Sequence, residues 1–267
     1  MISDTMPNPA PSTRQPVHAA ASEGFAKEAT AYSRGRPEYP QALQTWLKEV
    51  LGLAPGQRVA DVGAGTGKFC KLLTATGAEV VAVEPVDEMR AEAAKLAGVQ
   101  VLAGTAQSIP LPGESLDSIV CAQAFHWFAG AEALDEFARV LKPGGKLGLV
   151  WNVRDESVDW VLRITELITP YEGDAPRFYK GDWKKPFPHP RFGPLRETTF
   201  VHEHVGSPQQ VVIDRFMSVS FIASLPQREN ERVRGELENL VATHPALQGR
   251  EVVSFPYRTV AFDCSRI

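Results

Sequence analysis

Val59-Ala60-Asp61-Val62-Gly63-Ala64-Gly65-Thr66-Gly67-Lys68-Phe69 is followed by a second apolar run ending Val80-Val81-Ala82-Val83-Glu84. The pattern is a short apolar strand, three glycines at alternating positions, a helical stretch and a second strand closing on an acid. Glycine is required where the backbone takes positive φ or passes close to a ligand. An acid at the tip of the next strand is placed to accept hydrogen bonds from a ribose diol, as in nucleotide-binding α/β sheets. The stretch reads as a site for a nucleoside-containing cofactor.

Spacing narrows the choice. A dinucleotide fingerprint, G-x-G-x-x-G, needs glycine at 63, 65 and 68, and position 68 is Lys, which disfavours a nicotinamide or flavin oxidoreductase. A P-loop needs glycine where Val62 stands and Ser or Thr where Phe69 stands.

Outward from this stretch, strands and helices alternate. The pattern predicts strands at 58–62, 79–84, 99–103, 116–122 and 146–151, with helices at 66–76, 87–97 and 131–141. Such alternation implies a parallel sheet with helices on both faces. Gly77 and Lys142-Pro143-Gly144-Gly145 punctuate helix ends. Upstream, apolar spacing predicts helices around Phe25–Tyr32 and over 41–51. Downstream come an apolar helix at 160–168, a strand at 195–205, a helix pair over 208–243 opened by Ser207-Pro208, and a last strand at 252–262. Residues 1–23, rich in Pro, Ser, Thr and Ala, read as a disordered tail. Residues 24–267 read as one domain: lid helices at 24–52, a cofactor-binding core at 53–151, and substrate-cap insertions at 152–194 and 206–245.

Composition excludes several classes. A formal charge of −4 and a pI near 5.9, with no Lys/Arg stripe, leave no electrostatic footprint for nucleic acid. Cys70, Cys121 and Cys264 form no C-x-x-C pair, so neither a disulfide framework nor a zinc site is expected. His202 and His204 alternate along one strand with no acid or cysteine cluster beside them, so they read as solvated residues and no metal is expected. There is no secretory leader and no membrane-length apolar run, so a cytoplasmic protein is expected, monomeric or homodimeric.

The Asp-x-Gly-x-Gly-x-Gly stretch with Glu84 resembles the first two motifs of the class I S-adenosylmethionine-dependent methyltransferases. The resemblance extends over about residues 24–264. Phe25-x3-Ala29-x2-Tyr32-x3-Arg36-Pro37-x-Tyr39-Pro40 and Ala122-Gln123-Ala124-Phe125-His126-Trp127-Phe128 are similar to the trans-aconitate methyltransferase-like (methyltransferase type 11) branch. Val140-Leu141-Lys142-Pro143-Gly144-Gly145 matches the turn before the fifth strand, and Trp151–Glu156 and Phe255–Thr259 add branch-level similarity. The resemblance implies a Rossmann-like, seven-stranded, mostly parallel sheet with inserted lid helices, and S-adenosyl-L-methionine as cofactor.

It also implies roles. Gly63, Gly65 and Gly67 would pass under the methionine moiety, Asp61 would organise the loop or reach the amino group, and Glu84 would hold both ribose hydroxyls. Ala106 and Gln107 would lie by adenine, with Gln107 standing where many relatives carry an acid. Gln123 would face the sulfonium, and Tyr32 and Arg36 would fold over the cofactor's carboxylate. His126, Trp127, Asn152 and Arg154 are the candidates for contact with a small-molecule methyl acceptor; Arg154 pairing with Asp155 is the structural alternative. His126 is the one obvious general base, so the absence of an acid/base pair favours an acceptor already ionised, such as a carboxylate. Transfer to nitrogen, carbon or a phenol, and a non-catalytic cofactor-binding module, are the competing readings.

Overall fold

The computed structural model describes residues 37–267. The helix expected at Phe25–Tyr32, with Tyr32 and Arg36, lies outside the described residues. Seven strands form one sheet: β1 (Arg58–Val62), β2 (Glu79–Glu84), β3 (Val99–Ala103), β4 (Leu116–Ala122), β5 (Leu141–Arg154), β6 (Arg196–Gly206) and β7 (Val253–Ser265). Their order is β3-β2-β1-β4-β5-β7-β6. The first five strands are parallel, and β7 runs antiparallel between β5 and β6. The connection order reverses between β1 and β4, and such a switch point opens a crevice beyond the strands' carboxyl ends.

Alternation along the strands separates two cores. Val59, Val80 and Ala82 face Leu43, Trp46 and Leu47 of α1 (Leu43–Glu49) and Cys70 and Leu73 of α2 (Cys70–Thr74). Ala60, Val62, Val81 and Val83 belong to the opposite core, which holds Leu134 and Phe137 of α4 (Ala131–Val140); α3 (Asp87–Ala93) lies between β2 and β3 in sequence. Each fully buried Leu or Val contributes about 1.5–3 kcal/mol relative to exposure, so these faces fix the register of the sheet. A third cluster gathers α5 (Asp159–Ile168), residues Val211 to Ile222 and Val233 and Leu237 of α6 (Gln227–Thr243) around Phe255 and Tyr257 of β7.

Several elements depart from the expected pattern. The helix expected at 66–76 is regular only over Cys70–Thr74, because Gly63, Gly65 and Gly67 all take positive φ and no helix can begin until the chain has passed them. Lys142–Gly145 does not simply end a helix: β5 already begins at Leu141, which pairs with Leu116, and the pairing resumes at Lys146 with Ser118. The intervening residues form a bulge, with Gly144 at φ +76°. At the start of the second insertion the Ser207 hydroxyl accepts from the Gln210 N–H at 3.3 Å, and residues Gln209–Asp214 wind as a π-helix before α-helical geometry resumes.

Candidate active site

A cavity of about 870 Å³ opens at the carboxyl ends of β1, β2, β4 and β5. Its walls include the glycine loop, Glu84, Ala106, Gln107, Gln123, His126, Trp127 and Asn152. The two insertions supply Asp174, Lys180, Trp183 and Arg215 to the same space.

The glycine loop does two different jobs. Gly65 sits at φ +56° with no atom of the described residues within 4 Å of where a Cβ would stand, so this edge of the loop is open to the cavity. Gly63, at φ +73°, would bring a Cβ within 2.8 Å of Ala124 Cβ, so its bareness lets the loops after β1 and β4 touch. Gly67, expected beside the cofactor, does not line the cavity: it is buried at φ +78°, where a Cβ would meet Leu96 Cδ1 at 2.5 Å and Ala93 Cβ at 3.3 Å. Close packing against Ala93 and Leu96 is what requires glycine at position 67.

Glu84 is 6% exposed and ties strand to loop. Its Oε2 accepts from the Gly65 N–H at 2.9 Å and its Oε1 from the Val86 N–H at 3.0 Å. Burial raises its pKa, and the two backbone donors pull it back. Asp61 is 1% exposed; its Oδ2 accepts from the Cys70 thiol at 3.3 Å, while Oδ1 is buried with no hydrogen-bond partner. Burial, with Glu84 adding its charge, pushes the Asp61 carboxyl up to about 7 despite the thiol's opposing bond. The buried Cys70 thiol thus serves as a hydrogen-bond donor to Asp61. Asp117 holds the Arg58 N–H and Lys142, the backbone-capping role expected of a strand-end acid.

At the tip of β4, Gln123 has φ +58°, a conformation that side-chain-bearing residues rarely adopt and that clusters at working sites. Its N–H donates to Val150 O at 2.7 Å and its amide to Asn152 O at 3.2 Å. His126 faces the cavity, and its Nδ1 accepts from the Trp151 indole N–H at 3.0 Å. Trp151 itself is buried and packs at a tilt against Trp183 of the first insertion, with ring centroids 4.7 Å apart. Asn152 lines the cavity with its amide already engaged: Oδ1 accepts from the Thr259 hydroxyl at 2.6 Å and Nδ2 donates to Glu38 O at 3.0 Å. Arg154 is absent from the lining, and its acidic neighbour is Glu156 at 3.7 Å rather than Asp155, which instead accepts from Ser157.

His202 and His204 are not the solvated residues expected. Both are half-buried on the inward face of β6, with His202 Nε2 and His204 Nδ1 buried and without a hydrogen-bond partner. Among the described residues no three His, Cys, Asp or Glu side chains gather as metal ligands, and no helix is long and apolar enough to cross a membrane. Arg215, Trp183 and the Trp151–His126 bond were not foreseen as site features. Nothing in local sequence links Arg215 to this cavity; only folding of the second insertion does.

The strand order, acid-tipped β2 and glycine loop define an α/β enzyme that binds a nucleoside cofactor at its switch point. The family model described as "Methyltransferase domain" matches residues 60–149. An uncharacterized methyltransferase-like protein of Schizosaccharomyces pombe is 37% identical over 244 residues, covering 91% of this chain and 95% of that protein. An uncharacterized methyltransferase of Mycobacterium tuberculosis is 39% identical over 237 residues, covering 88% of this chain and 93% of its own length. Among solved structures, an Anabaena variabilis protein provisionally assigned as a methyltransferase of an antibiotic biosynthesis pathway has the same fold, with a TM-score of 0.63 at 18% identity, covering 86% of this chain and 98% of its own. The chain belongs to the class I S-adenosylmethionine-dependent methyltransferases.

The residues present fit that cofactor. Gly65 leaves open the space that a Cβ would take, Glu84 stands at the strand tip suited to a ribose, and the orphaned Asp61 Oδ1 awaits a cationic donor such as an α-ammonium.

Proposed function

We propose that the enzyme methylates a carboxylate oxygen of a small molecule. Bound S-adenosyl-L-methionine supplies the electrophilic methyl group, so the protein has to bind, align and keep water out. In this reading Glu84 holds the ribose, Asp61 the amino group, and Ala106 and Gln107 the adenine; Gln123, Trp127 and Asn152 shape the acceptor side. The insertions at 152–194 and 206–245 act as the substrate cap, supported by Trp183 and Arg215 lining the cavity.

The observation that carries the carboxylate reading is the tautomer of His126. An indole N–H only donates, so Nδ1 must accept and the neutral ring carries its proton on Nε2. The neutral His126 ring therefore has no lone pair left to take a proton. A phenol, ammonium or carbon acid needs a base, whereas a carboxylate, ionised above a pKa of about 4, does not. The same direction is supported by a Methylococcus capsulatus malonyl-[acyl-carrier protein] O-methyltransferase, 38% identical over 100 residues, or 35% of this chain. The resemblance of residues 122–128 to the trans-aconitate branch supports it as well.

Incubation with methyl-labelled cofactor and a metabolite extract tests the proposal. The labelled product should be an ester that mild alkali hydrolyses back to the acid. A label stable to alkali would overturn it.

A further inference from the structure

The second insertion carries into the cavity a cation that no carboxylate among the described residues pairs with. Arg215 is 8% exposed and lines the cavity. Its Nε donates to the Tyr257 hydroxyl at 3.3 Å, and its guanidinium lies 5.2 Å from the centre of the Phe216 ring. Its Nη1 is buried with no hydrogen-bond partner, and no carboxylate lies within ion-pairing distance of it among the described residues. Two basic side chains stand near it, each with acids of its own: Glu156 and Glu172 act on Arg154, and Glu38 on Lys68. Arg154 stands over the same Phe216 ring at 5.8 Å, and burial followed by the charge of Arg215 lowers its pKa. Lys68 feels Arg215 as well, though its own partner is Glu38 at 3.3 Å. His204, burdened by burial and then by Arg215 and Lys68, is pushed down to about 4 and stays neutral near pH 7.

Withdrawing a guanidinium from water costs several kcal/mol unless an anion and full hydrogen bonding compensate. A phenol hydroxyl and a ring face supply part of that; the orphaned Nη1 shows what is missing. An anionic ligand group would supply it, and a planar guanidinium suits carboxylate and phosphate oxygens alike.

Two ligands bring a carboxylate to this cavity, and position separates them. Glu84 ends β2, Asp61 and the glycines close β1, Gln123 follows β4, Asn152 lies in β5, and Arg215 meets Tyr257 of β7. In the sheet order β2-β1-β4-β5-β7, the guanidinium is therefore at the end opposite the ribose acid, beyond Gln123 and Asn152. We infer that Arg215 anchors an anionic group, a carboxylate or phosphate, on the methyl acceptor, and so determines which acceptors the enzyme takes. This rests on the methyltransferase reading of the cavity, and it deepens that reading by giving the acceptor a charged handle separate from the atom that is methylated.

The test is calorimetric titration of wild type, Arg215→Met and Arg215→Lys with S-adenosylhomocysteine, and then of each saturated complex with succinate and with inorganic phosphate at constant ionic strength. S-adenosylhomocysteine should bind all three proteins with similar affinity. At least one of the two anions should bind the wild-type complex and lose about 10–100-fold in affinity in Arg215→Met, the range of a charged hydrogen bond. Arg215→Lys, which keeps the charge and loses the planar fork, should fall between. It also carries the comparison should the Met variant fail to fold. Anion binding that is equal in wild type and both variants, or absent from wild type, overturns the inference. A tenfold loss of S-adenosylhomocysteine affinity with anion binding unchanged also overturns it, and moves Arg215 to the cofactor's own carboxylate. Failure of wild type to bind S-adenosylhomocysteine would instead sink the methyltransferase reading, and titrating the free protein with the same anions would still report on Arg215.

Discussion

Asp61 answers to two opposed demands. Burial favours its neutral form, while its orphaned buried oxygen is suited to a cation. Its folded pKa of about 7 lies above the ordinary 3.8, so the folded state holds a proton that the unfolded chain gives up across that window. The contribution to stability is full below about pH 4 and fades as pH rises to about 7. Thermal melts should therefore show wild type losing stability relative to Asp61→Asn between those limits; parallel curves would contradict the assignment. A bound ammonium reverses the preference, so S-adenosylhomocysteine should expel a proton on binding near pH 7, read as a dependence of binding heat on the buffer's ionisation enthalpy. Glu84→Ala should weaken S-adenosylhomocysteine binding by about 1.5–3 kcal/mol, and unchanged affinity in a folded variant would remove Glu84 from the ribose. For His126→Asn we expect a modest loss of kcat and a rate that stays flat from about pH 6 to 8, far above a normal carboxyl pKa. A loss of roughly 10²–10⁴-fold would mark a general base. At this scale the sequence was half readable. Glu84 and Gln123 are conspicuous because motif spacing places them at strand tips, whereas the tautomer of His126 depends on Trp151, which only the pairing of β4 with β5 brings near.

Among the elements, the glycine loop separates stability from binding within three positions. Gly67→Ala forces a side chain into left-handed backbone against α3 and Leu96, at a cost of about 1–2 kcal/mol. It should lower the melting temperature while the folded fraction still binds S-adenosylhomocysteine. Gly65→Val pays the same backbone strain and, in addition, fills the open space at the cavity, so cofactor binding should vanish in calorimetry even where circular dichroism reports a folded protein. Normal binding by Gly65→Val would detach the loop from the cofactor. Strands are the part of this fold most legible in sequence, since buried parallel strands read as apolar runs bounded by Gly and Pro. Helix lengths are less so: the helix expected from Thr66 cannot start until the chain has passed Gly67, the last of three left-handed glycines. The bulge at Lys142–Gly145 and the π-helix at Gln209–Asp214 have no periodic signature, because each is an irregularity in pairing and not in composition.

Across the whole molecule, the cavity is where three packed regions meet: the two faces of the sheet and the cluster built by the insertions. A ligand that touches all of them should slow exchange in each. Hydrogen exchange with and without S-adenosylhomocysteine should show protection at 63–68 and also at 174–185 and 209–217, since Asp174, Lys180, Trp183 and Arg215 line the same space. Protection confined to the glycine loop would leave the insertions out of ligand binding. The partnership of Trp151 with Trp183 has an optical consequence. The two indoles, 4.7 Å apart and inclined by 37°, are close enough for their excited states to mix, and the first of them is bonded to a cavity histidine. The protein thus carries its own chromophore pair at the cavity wall. A near-ultraviolet circular dichroism couplet that Trp183→Phe abolishes would let occupancy of the cavity be followed without any label.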